Sequence, residues 1–231
     1  MRRRTFLAGL AALAGTVGLI APAASPAQAT PAATTTATVT VVHGIPAANG
    51  FPVDIYANGG KILSSIPFGW VITFKVPAGS YDLAIRGAGA AASSPAVLSG
   101  TVPFAAGTHT SVVANLTADG KPTVSVFSND LTPTAAGSGR VTVRHVAAAP
   151  AVDVVANSAL RIVKGATNGA EATLEVPAAR YELKLTLPGE AAGVYYTAYP
   201  VKAGVNTVFY AIGDIAGRFT VAVQEIAVGT K

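Results

Sequence analysis

Two stretches of the chain, VTVVHGIPAANGFPVDIYAN at residues 39 to 58 and VTVRHVAAAPAVDVVANS at residues 141 to 158, each set a histidine ahead of an aspartate across a loop of small residues. An imidazole held by a carboxylate is a general base, and beside a hydroxyl nucleophile or a bound water it could run a hydrolysis. The candidates are His43 with Asp54 and His145 with Asp153. No Gly-x-Ser-x-Gly elbow accompanies them, and no serine is matched near both histidines. A metal centre is no better supplied. The chain has three histidines and no cysteine, His109 stands outside the repeated pattern, and no Asp-x-Asp-x-Asp-Gly loop for calcium is present. The glycine-rich RGAGAAASSPA at 86 to 96 lacks the phosphate-loop lysine and the Gly-x-Gly-x-x-Gly spacing, so it reads as a strand connection. No catalytic, metal or cofactor site is expected.

The elements that must position these residues are strands. Ile72-Thr73-Phe74-Lys75-Val76 and Ala172-Thr173-Leu174-Glu175-Val176 alternate apolar and polar residues on the same parity, as half-buried strands do. By that parity His43 shares the face of Val39 and Val41, and His145 that of Val141 and Val143, so both point inward, while Thr142 and Arg144 make the opposite face polar. Asp54 and Asp153 sit between inward apolar neighbours and face the other way. An inward histidine is usually neutral and hydrogen-bonded, so a structural role is the expected one for His43, His145, Asp54 and Asp153.

The whole pattern is written twice. FKVPAGSYDLAIRG (74 to 87) matches LEVPAARYELKLTL (174 to 187), TVPFAAGTHTSVVANL (101 to 116) matches AYPVKAGVNTVFYAIG (198 to 213), and KPTVSVFSN (121 to 129) falls on RFTVAVQEI (218 to 226). Seven or eight strands per copy, about ten residues apart and without an amphipathic helix, predict an all-β chain of two tandem antiparallel β-sandwiches of immunoglobulin or fibronectin size. The first copy spans 38–131 and the second 140–228, with a small-residue linker at 132–139.

Aromatic residues break the symmetry. Phe51, Tyr56, Phe68 and Trp70 cluster in the first copy, where the second has mostly Ala, Val and Asn. Exposed aromatics suit glycan stacking or protein hot spots, which makes Tyr56, Phe68 and Trp70 candidate ligand-binding residues. The structural alternative is that Trp70 caps the core or packs against the second domain.

The first 29 residues read as an export signal: Arg2, Arg3 and Arg4, an apolar run from Phe6 to about Ala21, and Ala27-Gln28-Ala29 ahead of the expected cleavage. Arg3-Arg4-Thr5-Phe6-Leu7 resembles a twin-arginine signal, and a plain secretory signal is the other reading. A Thr/Pro/Ala spacer follows at 30–37. Of 16 basic residues three lie in the signal, leaving 13 against 11 acidic ones. That near-balance gives no basic stripe for nucleic acid, and no membrane span is expected in the mature chain. A secreted chain without cysteine must be held by apolar burial.

The Val-x-His opening, the small-residue loop, Val-Asp-[IV]-x-Ala-Asn, then IPFG and VPAGSYDLAI, resemble the domain of unknown function 4397, most clearly in the first copy. The resemblance implies tandem domains exported to the bacterial or archaeal surface, and no assigned activity. The expected function is a non-catalytic, secreted or wall-associated binding protein whose partner is an extracellular protein, a glycan or a wall polymer. An extracellular hydrolase and a purely architectural spacer are the alternatives.

Overall fold

The computed structural model describes residues 35–46 and 52–231. The export signal, residues 30–34 of the spacer and Phe51 lie outside the described residues. Among the described residues the alternating segments form sixteen strands. The first eight are β1 (Thr36–His43), β2 (Val53–Ala57), β3 (Gly60–Ile66), β4 (Val71–Pro77), β5 (Gly79–Gly87), β6 (Leu98–Phe104), β7 (His109–Leu116) and β8 (Pro122–Ser128). Their copies are β9 (Ser138–Ala148), β10 (Val152–Ala156), β11 (Leu160–Ala166), β12 (Glu171–Pro177), β13 (Ala179–Thr186), β14 (Gly193–Val201), β15 (Val205–Asp214) and β16 (Phe219–Ala227). No helix among the described residues is long and apolar enough to cross a membrane.

Each half is a sandwich of two four-stranded sheets. The first half pairs β4-β1-β7-β8 with β3-β2-β5-β6, and the second pairs β12-β9-β15-β16 with β11-β10-β13-β14. The pairing is antiparallel except where β1 meets β7 and β9 meets β15, which run parallel. A parallel pair needs a long crossover, and here five intervening strands supply it. Inward residues of the two sheets build one core per sandwich. Val39, Val41, Ile55, Val102, Phe104 and Val112 belong to the first. Val141, Val143, Val154, Leu183, Leu185 and Phe209 belong to the second.

The aspartates of the repeated motif set the shape of one hairpin in each sandwich. Register shifts interrupt the pairing of β2 with β3 and of β10 with β11. At these bulges Ser65 and Gly165 take positive φ values of 55° and 60°. Asp54 Oδ1 accepts the Ser65 N–H at 2.9 Å, and Asp153 Oδ1 accepts the Gly165 N–H at 2.6 Å. A buried carboxylate thus pairs with the backbone N–H that the bulge takes out of the ladder.

The polar outer face read from Thr142 and Arg144 is buried. All described residues fall in one compact unit, and the sheet containing β1 and β7 packs against the sheet containing β9 and β15. Val42 and Val113 of the first sandwich join Val146, Val208, Tyr210 and Ile212 of the second in a third apolar cluster. Gly44 permits the close approach, since a Cβ there would stand 2.9 Å from Ile212 Cγ2.

Polar groups on this face find their partners both within the second sandwich and across the seam. Arg144, 1% exposed, donates from Nη2 to Asn129 Oδ1 at 2.9 Å and from Nη1 to Tyr210 Oη at 2.7 Å. Its Nε donates to Glu171 Oε2 at 2.6 Å, and its guanidinium lies 4.4 Å from the Phe127 ring centre. Gln224 Nε2 donates to Thr40 Oγ1 at 2.7 Å, and Tyr210 Oη donates to Gln224 Oε1 at 2.6 Å. A face polar by composition therefore becomes an interior, because its groups are satisfied partly within the second copy and partly by Asn129, Thr40 and Ser111 of the first.

Candidate functional site

Strand register places the two cores in correspondence, residue by residue. Val112 lies across from Val41, and Phe209 across from Val143, so the two hold the same place in the two sandwiches. Val102 lies across from Tyr81, and Tyr199 across from Tyr181. By the same rule Leu98 matches Tyr195 and Gly100 matches Thr197. Pro122, across from Leu116, matches Phe219, across from Gly213. At every one of these inward positions the second copy carries the larger side chain.

In the second sandwich those rings pack edge to face. Tyr199 and Phe209 stand 5.4 Å apart at 87°, and Tyr195 and Phe219 stand 5.9 Å apart at 73°. Such pairs fill a core and add to its cohesion. The crevice among Val143, Leu183, Phe209 and their neighbours holds about 10 Å³. The first sandwich lacks all four rings, and a cleft of about 760 Å³ opens between its sheets. That is within the range of about 300–1,000 Å³ typical of ligand pockets. Leu63, Val76, Tyr81 and Leu83 are only half-buried, whereas Val163, Val176, Tyr181 and Leu183 of the second copy are buried.

The lining is apolar and uncharged. Ile72 and Phe74 of β4, Leu83 of β5, Val102 of β6 and Val124 of β8 form its walls. At its rim Ile62 is 44% and Val126 is 49% exposed. The Tyr81 hydroxyl donates to the Pro77 carbonyl at 2.9 Å, and the Thr101 hydroxyl to Asp82 Oδ1 at 2.6 Å. The cleft can therefore offer dispersion and desolvation to a ligand, and no general acid, base or nucleophile.

The residues singled out in the sequence fall elsewhere, and no hydrogen bond joins His43 to Asp54 or His145 to Asp153 among the described residues. Asp54 is occupied by Ser65, by the Gly89 N–H at 3.2 Å and by Lys61 Nζ at 2.6 Å, which hold its carboxyl below the usual carboxylate range. Asp153 takes Gly165 and Arg161 Nη1 at 3.1 Å. His145 is buried, with Nε2 2.9 Å from the Pro150 carbonyl. His43 is buried as well, and burial pushes it down to about 4. Neither of its ring nitrogens meets a partner among the described residues.

The three aromatic candidates do not form one patch. Tyr56 is 3% exposed, with the Arg86 guanidinium 4.7 Å and Lys61 Nζ 5.5 Å from its ring centre, so it offers no surface to a ligand. Its parity on β2 sends it to the outer side of the sheet, where those two cations cover it. Phe68 packs into the seam between the sandwiches, with Arg218 of the second 4.8 Å from its ring centre. Trp70 alone projects, at 54% exposure. Its backbone is fixed, with the Trp70 carbonyl accepting the His43 N–H at 3.1 Å.

The cleft residues were within reach of the repeat alignment. That comparison weighs the aromatics the first copy has in addition, whereas the opening follows from those it lacks. Tyr195, Tyr199, Phe209 and Phe219 have small partners in the first copy, and the deficit is visible once the strands are in register.

Several solved structures share local similarity with the chain. The Bacillus anthracis TIE protein matches with 12% identity and a TM-score of 0.24, over 80% of this chain and 34% of that one. The chain thus spans about a third of that protein's length. CBMbc, of family CBM26, from Eubacterium rectale Amy13K, solved in complex with maltoheptaose, matches with 9% identity and a TM-score of 0.26, over 80% of this chain and 95% of that one. A streptococcal virulence factor described by its alpha-glucan binding matches with 8% identity and a TM-score of 0.27, over 80% and 96%. Likenesses of this degree assign neither ligand nor activity. No curated protein matches the sequence. The family model described as Domain of unknown function (DUF4397) matches residues 37–155, just over half of the chain, from β1 into β10. The chain belongs to the DUF4397 family.

Proposed function

We propose that this protein is an exported, non-catalytic binding protein of the cell envelope or extracellular space, which takes an apolar ligand into the open core of its first sandwich. The second sandwich is a filled copy of the same domain and braces the first. One observation carries this reading: the four positions that hold Tyr195, Tyr199, Phe209 and Phe219 in the second core hold Leu98, Val102, Val112 and Pro122 in the first, where about 760 Å³ stands open. An unfilled space of that size costs stability, so a use for it is the economical explanation. Export rests on the arginine-led apolar segment and Ala27-Gln28-Ala29. The shared strand order and the matched Asp–bulge contacts support two tandem copies.

The hydrolase alternative is weakened by the same geometry, since the histidines are buried and the aspartates are engaged elsewhere. Titration of the purified protein with an environment-sensitive apolar dye tests the proposal. Saturable binding at one site is expected, and it should vanish in Val102→Tyr/Val112→Phe, which restores the ring pair of the second copy. Absence of saturable binding to the native protein would remove the cleft as a site and favour an architectural spacer.

Trp70 supports a second, surface reading, in which a glycan, wall polymer or surface protein docks against an exposed indole. A panel of such partners, run with Trp70→Ala beside the native protein, tests it. Capture that survives the substitution argues against Trp70.

A further inference from the structure

The seam between the sandwiches brings together a hydroxyl, an imidazole and an amide, all buried. Thr40 Oγ1 on β1 lies 2.8 Å from His109 Nε2 on β7 and 2.7 Å from Gln224 Nε2 on β16, and it also meets Thr73 Oγ1 at 2.7 Å. His109 Nε2 is in turn 3.1 Å from Gln224 Nε2. One imidazole nitrogen therefore reaches both a hydroxyl and the nitrogen of an amide beside it. The Gln224 carbonyl oxygen faces the other way, accepting from Tyr210 Oη at 2.6 Å and from Ser111 Oγ at 3.2 Å. Arg144 Nη1 donates to Tyr210 Oη at 2.7 Å, which leaves the tyrosine's own proton to point at Gln224 Oε1 and orients the amide with its nitrogen towards Thr40. Nucleophile, base and oxyanion donors thus surround one carbonyl.

These residues break the repeat. Strand register matches Gln224 with Phe127, Tyr210 with Val113 and Arg144 with Val42, and His109 with Asn206. In the second copy the Thr142 hydroxyl donates to Asn206 Oδ1 at 2.9 Å and meets no imidazole. The Asp–bulge contacts that shape the fold are present in both copies, whereas this constellation is built once, from both copies together.

Independently of the cleft, we propose that the protein joins Thr40 to Gln224 by an ester bond of its own making, which staples the two sandwiches together. Thr40 Oγ1 attacks Gln224 Cδ while His109 Nε2 takes the hydroxyl proton. The Tyr210 and Ser111 hydroxyls hold the oxyanion that develops on Oε1. His109 then passes the proton to Nε2, the Cδ–Nε2 bond breaks, and one ammonia leaves. The Cδ–Oγ1 bond takes its place, and no oxidant or other reactant is consumed. The step runs once per chain, so it gives no turnover of an outside substrate. Burial and the Arg144 charge lower the His109 pKa, which keeps the ring in the neutral form that accepts a proton. Fixed neighbours supply the effective concentration of nucleophile, and the dry seam shields the product from water. In a chain without cysteine the bond would do the work of a disulfide, closing a loop whose ends stand 184 positions apart.

Intact-mass spectrometry of the purified native protein, after prolonged warming at neutral pH, tests the proposal. The expected result is a mass lower than the sequence requires by about 17 Da, the ammonia lost when an amide becomes an ester. Tryptic digestion should give one linked pair of peptides, holding Thr40 and Gln224, that hydroxylamine parts. Thr40→Val should keep the full mass and Thr40→Ser, which retains a hydroxyl, should still lose ammonia. His109→Asn places at this position the residue type that the second copy carries, so the fold should accept it, as circular dichroism would show. It should slow ester formation by about 10²–10⁴-fold, the usual worth of a general base.

A native protein that keeps its full mass would overturn the proposal. So would a loss of ammonia that persists in Thr40→Val, or a linked pair that maps to other residues. Ester formation at an undiminished rate in His109→Asn would overturn the mechanism assigned to the imidazole.

Discussion

Val112 and Phe209 stand at one position in two copies of the same sandwich, each on the strand that pairs in parallel with the opening strand of its half. Phe209 packs edge to face on Tyr199, whereas Val112 lines the cleft of about 760 Å³. A difference of one side chain, with its three companions, separates a closed core from an open one.

Filling the first core should therefore strengthen it. Val102→Tyr/Val112→Phe is expected to raise stability by about 0.5–2 kcal/mol, the usual return on cavity filling, read as a higher urea midpoint with an unchanged slope. Phe209→Ala should do the reverse in the second sandwich and cost about 3–5 kcal/mol. A filled variant less stable than the native protein would mean that the sheets of the first sandwich cannot admit the rings.

Arg144 couples the sandwiches. Its hydrogen bond to Asn129 and its contact with the Phe127 ring tie the second sandwich to the first, so the two halves should unfold in one calorimetric transition. Arg144→Ala is expected to cost about 1.5–3 kcal/mol, the worth of hydrogen bonds to a charged group, and to split that transition in two. Arg144→Lys should not restore it, because an ammonium cannot reach three partners held in the guanidinium plane. A single transition persisting in Arg144→Ala would show that the apolar cluster alone holds the seam.

The histidines make the fold acid-sensitive. Burial holds His43 down to about 4 and lowers His145, where the Pro150 carbonyl offsets part of the effect. Burial also lowers His109, and the nearby Arg144 charge lowers it further. Unfolded histidine titrates near 6.5. Since the folded values lie below that, the unfolded chain takes up protons first as pH falls. Stability present above about pH 6.5 is thus lost on the way down to about 4. For His43 the full loss is on the order of 3 kcal/mol. Urea midpoints from pH 7.5 to 4.5 should decline, and His43→Gln should flatten the slope. A midpoint that is level across this range would contradict the assignment. His145→Ala, measured at pH 7.5, should cost about 1–3 kcal/mol.

Trp70 should matter little to folding. Its side chain is half in solvent and its backbone bonds do not depend on the indole. Trp70→Ala is expected to shift stability by less than about 0.5 kcal/mol, seen in the same urea titration. A loss of several kcal/mol would return Trp70 to the core.

Much of the fold was legible in the sequence, because a strand writes its buried face at every second residue. Period-two alternation gave the strands, and copied turns and prolines gave the repeat. The inward His43 and His145 followed from parity with Val39, Val41, Val141 and Val143. Tyr56 is the instructive difference. It counts as an available aromatic in the sequence, but Arg86 and Lys61, distant along the chain or across a hairpin, cover it in the fold.

By itself, then, the sequence determined an all-β chain written twice, since alternation and repetition are local properties of the residue order. Tertiary structure alone decided two things. It turned the polar face of Thr142 and Arg144 into an interior, because exposure depends on whether another surface arrives with matching donors and acceptors. It also opened the first core and closed the second, because a cavity is the difference between the volume that two sheets enclose and the volume that their side chains fill.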